Sequence, residues 1–233
     1  EWREKLVEAV AVSDDTLLDR FLEDRASITV EEFMEATRKA TINMEIVPVF
    51  CGSAFKNKGI QRLLDGIVSL LPSPLDVPPM HGINPHNDKE EIRKPEVQEP
   101  LSALAFKIAT DPFVGRLAYV RVYSGQLQEG VMVYNSRTGK KERVNRLYQM
   151  HANKQNPRKA VDAGDICGVV GFKDLRTGDT ISAVNKPITL ESMTFPEPVI
   201  NIAIEPKTQQ DVDKLSLALG KLAEEDPTFQ VKT

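Results

Sequence analysis

Cysteine is almost absent from this chain: Cys51 and Cys167 are the only two in 233 residues. A disulfide-stapled secreted fold is excluded, and because both thiols lie in apolar runs, two buried thiols in a reducing compartment are expected. Histidine is nearly as scarce, with His81, His86 and His151. Neither residue type shows metal-ligand spacing, so no metal site is expected. No stretch approaches the ~18 consecutive apolar residues of a membrane helix. The opening Glu1-Trp2-Arg3-Glu4-Lys5 is not a signal peptide. These absences predict a cytoplasmic protein with no membrane partner. Two further motifs are missing. There is no Gly-x-x-x-x-Gly-Lys-Ser/Thr, the loop whose amides cradle phosphates, and no Asn-Lys-x-Asp. The one pair of similar look, Asn57-Lys58, runs on into Gly59 and Ile60. No catalytic residue is therefore expected in this chain.

What is present is ordinary in amount but uneven in place. Apolar residues make up 41% and charged residues 27%, enough to build cores in one large or two to three small domains. The net charge of −4 hides an asymmetry. Residues 1–100 hold 12 Lys and Arg against 19 Asp and Glu; residues 101–195 hold 14 against 8; residues 196–233 hold 4 against 7. A basic middle between acidic flanks points to a polyanion there, with a solvated charged face as the plain alternative.

The pattern along the chain changes period. Residues 1–44 read as helices. Asp14 or Asp15 caps one, and Thr29 with Glu32 forms a capping box for the next. Glu45–Cys51 reads as a short buried strand, with Pro48 marking an edge or irregularity. A small-residue turn, Gly52-Ser53-Ala54, follows. Ile60, Leu63, Leu64, Ile67, Val68 and Leu71 then recur at helical spacing until Pro72-Ser73-Pro74. Strand, small-residue loop and helix fit the end of an α/β layer, where ligands meet the loop leaving the strand. Residues 76–99 are rich in proline and charge, and read as a linker without a core. Residues 100–195 alternate apolar and polar in short runs punctuated by Gly and Asp. This predicts a closed antiparallel β-barrel. Within it, Arg137, Lys140, Lys141, Arg143 and Arg146 form one cationic cluster. Lys154, Arg158 and Lys159 form another, in a polar loop, His151–Lys159, that holds no large apolar residue. Exposed Lys and Arg are what phosphate contacts need; a solvated strand edge is the bland reading. Residues 196–233 predict a strand at Val199–Ile204, then a helix opened by Thr208-Gln-Gln-Asp211 with Val212, Leu215, Leu219 and Leu222 inward. One strand and one helix cannot close a core, so a truncated α+β unit is expected.

Several strings together carry a family resemblance. They are Cys51-Gly-Ser-Ala-Phe-Lys-Asn-Lys-Gly59, Leu70-Leu-Pro-Ser-Pro-Leu75 and Ala105-Phe-Lys-Ile-Ala-Thr-Asp-Pro-Phe-Val-Gly115. To these add Arg121-Val-Tyr-Ser-Gly125, Ala163-Gly-Asp-Ile166, Thr177-Gly-Asp-Thr180 and Glu205-Pro-Lys-Thr208. The chain resembles bacterial-type elongation factor G, the GTPase that drives translocation on the ribosome. The resemblance implies an internal fragment of a multidomain α+β protein. Residues 1–44 would end the helical insertion of the GTPase domain, and 45–75 would supply that domain's last strand and helix. Residues 100–195 would form the translation-factor barrel, and 196–233 the start of a third domain. It further implies that Ser53, Ala54 and Phe55 contact guanine in the parent, which uses GTP and magnesium. Asn57-Lys58 then belongs to the loop after the guanine-reading turn and is no base-specificity motif. The fragment itself is expected to bind neither GTP nor magnesium and to be a monomer. The implied partner is small-subunit ribosomal RNA, with tRNA and mRNA met indirectly through the parent. Two other readings keep part of this picture: a ribosomal protection protein of the same superfamily, and a stand-alone RNA-binding barrel.

Overall fold

The computed structural model describes all residues except 25, 26, 112, 113, 153, 191, 192, 194, 195, 207, 232 and 233. Pro112, Phe113, Asn153 and Lys207, which the sequence reading uses, lie outside the described residues. The chain divides into two compact units, Glu1–Val77 and Pro78–Thr233.

The first unit is helical: α1 Trp2–Ala11, α2 Asp15–Glu23, α3 Val30–Ile42 and α4 Ile60–Leu70. Asp14 caps α2, its carboxylate accepting from the amides of Thr16 at 3.1 Å and Leu17 at 3.3 Å. The capping box of α3 is formed. The Thr29 hydroxyl accepts from the Glu32 amide at 3.3 Å, and the Glu32 carboxylate accepts from the Thr29 amide at 3.0 Å. Glu32 also meets the Arg20 guanidinium at 2.5 Å. That hydrogen bond, with those from Thr29, lowers the Glu32 carboxyl to about 2. Val7, Ala11, Phe21 and Ile28 form a small core between these helices. Arg38 donates to the carbonyls of Ser69 and Leu71, both at 3.0 Å, and so ties α3 to the end of α4.

The buried strand expected over Glu45–Cys51 does not form. No ladder is made there, and Val47 and Val49 are 83% and 85% exposed. An apolar β-branched run becomes a strand only when a neighbour satisfies its amides and carbonyls. Among the described residues none lies beside it. Phe50 does find a seat: its ring lies over Gly66 of α4, where a Cβ would clash with the ring. Cys51 is exposed, against expectation; Cys167 is buried as expected.

The second unit is mostly β. Where a linker is expected, β1 Met80–Ile83 and β2 Glu90–Arg93 form a hairpin, and β1 also pairs with β13 Thr189–Leu190. Pro78, Pro79, Pro95 and Pro100 flank this hairpin and Pro85 sits in its turn, so no proline falls in either strand. Its turn is closed by the Asn84 amide on the Lys89 carbonyl at 2.9 Å. The larger sheet holds β3 Ser102–Asp111, β4 Gly115–Ser124, β6 Met132–Asn135, β7 Lys140–Arg143, β8 Arg146–His151, β9 Lys154–Arg158, β11 Ile166–Val170 and β12 Thr180–Ala183. Its order is β7-β6-β12-β3-β4-β11-β8-β9, antiparallel throughout. Two further strands, β5 Gln126–Gln128 and β10 Ala160–Asp162, form a separate antiparallel pair. Alternation sorts each strand: Ala118, Val120 and Val122 of β4 are buried, while Tyr119, Arg121 and Tyr123 are half-buried on the other face. One core joins Ala105, Val120, Leu127, Val133, Leu147, Val161, Val169 and Ile181, drawing on nearly every strand.

The expected closed barrel is not given by these ladders, whose order ends at β7 and β9. The reason lies at Val144 and Asn145, the two residues between β7 and β8. The Val144 amide bonds the Val131 carbonyl at 3.0 Å, and the Asn145 amide bonds the Val170 carbonyl at 2.9 Å. At that step the chain changes partner from β6 to β11, and each ladder stops there.

Helix α5, Gln209–Glu225, follows the sheet. The expected strand at Val199–Ile204 makes no ladder, and Val199 is 94% exposed. The expected cap is also different. The Thr208 hydroxyl donates to the Asp211 carboxylate at 2.6 Å, but no side chain caps the helix amides. Val212, Leu215 and Leu219 are half-buried, whereas Leu222 stays exposed. The end of α5 is fastened to the β3–β4 region. The Thr110 amide bonds the Glu225 carboxylate at 2.6 Å, and Arg116 pairs with Glu224 at 3.3 Å. Among the described residues no helix is long and apolar enough to cross a membrane.

Candidate nucleic-acid interface

Two places carry the residues singled out by sequence. In the first unit, Ser53-Ala54-Phe55 stand at the head of a tight turn. Ser53 and Lys58 exchange backbone hydrogen bonds at 2.9 and 3.0 Å, and the Asn57 amide closes on the Ala54 carbonyl at 3.1 Å. The turn needs glycine at Gly59, where φ is +78° and a Cβ would lie 2.8 Å from the Cys51 carbonyl. Phe55 is fully exposed. The Ala54 and Phe55 amides find no acceptor among the described residues. Such a turn offers amides and little bulk, which suits the edge of a flat base. It carries nothing that would hold a triphosphate. Among the described residues no cluster of three or more His, Cys, Asp or Glu could hold a metal ion.

The second place is the β6–β7 hairpin and its neighbours. Lys140, Lys141 and Arg143 lie exposed along β7, and Arg146 lies exposed on β8. A hydrogen bond to Tyr148 raises the Arg146 guanidinium above its ordinary value. Lys154 and Arg158 are exposed on β9, and Lys159 follows directly. Arg158 is bonded to Gln149 across the β8–β9 pair. Arg137 differs from the rest. Its Nε donates to both carboxylate oxygens of Asp179, at 2.7 and 3.0 Å, and another nitrogen reaches the Asp174 carbonyl. Arg137 is therefore held in an ion pair, whereas the sequence grouped it with the other candidate phosphate contacts.

Asp179 is 5% exposed and also accepts from the Arg176 amide at 2.8 Å. This brings in a loop that sequence reasoning missed, running from Lys173 to Asp179. Glu142 on β7, nearly buried, accepts from the amides of Lys173 at 2.7 Å and Asp174 at 3.3 Å. Two exposed cations, Lys173 and Arg176, thus sit on backbone pinned to the basic hairpin. The signal was Thr177-Gly-Asp179 itself, noted only as a turn; its aspartate points inward. The structure therefore joins Lys140 and Lys141 to Lys173 and Arg176. Lys154, Arg158 and Lys159 belong to the β8–β9 end of the strand order.

A family model for Elongation factor Tu domain 2 matches residues 115–182, and one for Elongation Factor G, domain III, matches residues 195–233. Along its entire length the chain belongs to the elongation factor G family. It is 61% identical over 233 residues to elongation factor G of Amoebophilus asiaticus and 60% identical to that of Cytophaga hutchinsonii. It is 54% identical over 232 residues to that of Karelsulcia muelleri. All of the chain is covered in each case, and it spans 33 to 34% of the length of those relatives. A crystal structure of a protein from Thermus thermophilus superposes with a TM-score of 0.75 at 28% identity, over 99% of this chain and 32% of that one.

Proposed function

We propose that this chain is the ribosome-docking part of a translation elongation factor that couples GTP hydrolysis to movement of tRNA and mRNA, and that it works in the cytoplasm. The observation that carries the reading is the cationic hairpin β6–β7 with its pinned loop, set in a sheet of the translation-factor type. Its ligand is small-subunit ribosomal RNA. Folded RNA presents phosphates and a regular shape more than readable base edges, so fixed Lys and Arg suffice. The protein closes its sheet into a barrel through the bent segment 140–151, whose first half pairs with β6 and second half with β11. In the longer protein the turn Ser53–Lys58 takes the guanine edge through the Ala54 and Phe55 amides, and other segments hold phosphates and magnesium. GTP supplies there the free energy of the cycle. The present residues contribute one base-reading edge and no group that activates water, so the chain alone has no GTPase activity.

Binding of the full chain to purified small ribosomal subunits, measured across salt concentration, tests this. Phosphate-based binding weakens with salt, by about 0.7 to 0.9 in log–log slope per contact. Replacing Lys140, Lys141, Lys154 and Lys159 together by Ala is expected to flatten the slope by about 3. The melting temperature should scarcely move, because exposed charges contribute little to stability. Arg137 is left in place, since its loss would orphan Asp179. An unchanged affinity and slope in the fourfold variant would overturn the reading.

A further inference from the structure

We infer that Asp179, together with Asn135 and Glu142, positions the basic hairpin, locking it and the loop Lys173–Asp179 into one rigid cationic surface without itself touching the polyanion. The inference rests on the ribosomal-RNA reading above. Asn135 is fully buried, and Asp179 and Glu142 are 5% and 9% exposed, so none can meet a phosphate directly.

Their bonds all run between the two segments or stiffen the turn. The Asn135 side-chain amide donates to Glu142 at 2.9 Å and to Asp179 at 3.4 Å, linking the two carboxylates. Its oxygen accepts from the amides of Arg137 at 3.1 Å and Thr138 at 3.2 Å, which sets the turn that presents Lys140 and Lys141. Asp179 gathers Arg137 from the hairpin and the Arg176 amide from the loop. Glu142 gathers the Lys173 and Asp174 amides. The Ser136 amide adds a bond to the Thr180 carbonyl at 3.0 Å. Four cations thereby stand on backbone that cannot drift apart.

Two features make a positioning role the better account. Burying two carboxylates, one against the Arg137 guanidinium and the other against amides alone, is a costly way to stabilise a surface turn, for apolar packing usually serves as well. And Lys140, Lys141, Lys173 and Arg176 carry like charge, which gives the hairpin and the loop no attraction of their own to hold them together. An array already fixed loses less freedom on binding than one that must be ordered by its ligand.

The consequence separates position from charge. Asp179→Asn removes a negative charge, so charge count alone requires tighter binding to RNA. Positioning requires weaker binding. In the full chain, below the melting temperature of every variant, Asp179→Asn is expected to bind small ribosomal subunits about tenfold more weakly at ~0.15 M salt, with a slope flatter by about 1.5, as for two lost phosphate contacts. Asp179→Glu, which can still reach Arg137, should recover part of both. If Asp179→Asn does not fold, Asn135→Ala gives the same reading without changing charge. Equal or tighter binding by the neutral variant, at an undiminished slope, overturns the inference while leaving the RNA reading intact. Failure of the unaltered chain to bind overturns both.

Discussion

Ile46–Phe50 and Ala118–Val122 are both short runs rich in valine and other apolar residues, yet they end differently. Val120 and Val122 are fully buried between β3 and β11. Val47 and Val49 face solvent with no ladder at all. Pro48 removes one ladder donor from the first run, yet an edge strand tolerates that, so composition alone does not decide the outcome. What separates them is whether the described chain brings a second strand alongside. A strand is thus a property of a pair, whereas a helix satisfies its own backbone, and this is why every expected helix forms while two expected strands do not.

The thiols give the widest contrast. Cys51 closes the unpaired run and is exposed; Cys167 lies in β11, and burial pushes its thiol up to about 12. Cys51 should react with an aromatic disulfide reagent at the rate of a free thiol. Cys167 should react about a thousandfold or more slowly, at the pace set by opening of the sheet. The raised thiol also makes stability fall as pH rises from the ordinary thiol value of 9.0 towards 12, because the unfolded chain ionises first. Equal labelling rates would show that the sheet is not a closed core. Leu147→Ala comes next. Leu147 is 1% exposed in the core that joins the strands, so its truncation should cost about 2–5 kcal/mol in chemical denaturation. The smallest effect belongs to Val49→Ser, which should stay within about 0.5 kcal/mol if that side chain is as exposed as it stands. A loss like that of Leu147 would mean that the run pairs with something in solution.

Legibility from sequence followed the same divide. The helices could be read, and with them the caps of α2 and α3, because a cap needs only residues three apart, as with Thr29 and Glu32; the cap expected for α5 did not form. Most strands between Ser102 and Ala183 were legible from alternation, but β5, β9 and β10 were not: Lys154–Arg158 read as a polar loop because it holds no large apolar residue, yet it pairs with β8. The hairpin Met80–Arg93 was missed because prolines on both flanks, with Pro85 in its turn, masked two short strands. The cationic residues could be picked out by type, but their grouping was not visible. Arg137 meets Asp179 across 42 positions and Glu142 meets the Lys173 amide across 31. Nothing in local pattern announces such partners, so a cation held by a buried carboxylate looks the same as one held by water.

The fastening of α5 has a consequence in time. Glu225 meets the Thr110 amide across 115 residues, whereas the turns of α5 and the hairpins close over a few. Long loops close late, since their ends must find each other before any contact rewards the search. Helix α5 also ends on Glu224, Glu225 and Asp226, acidic residues at the pole of a helix that disfavours them. Its last turn is therefore the piece that settles after the sheet during refolding, and the first to fray when Arg116 lets go.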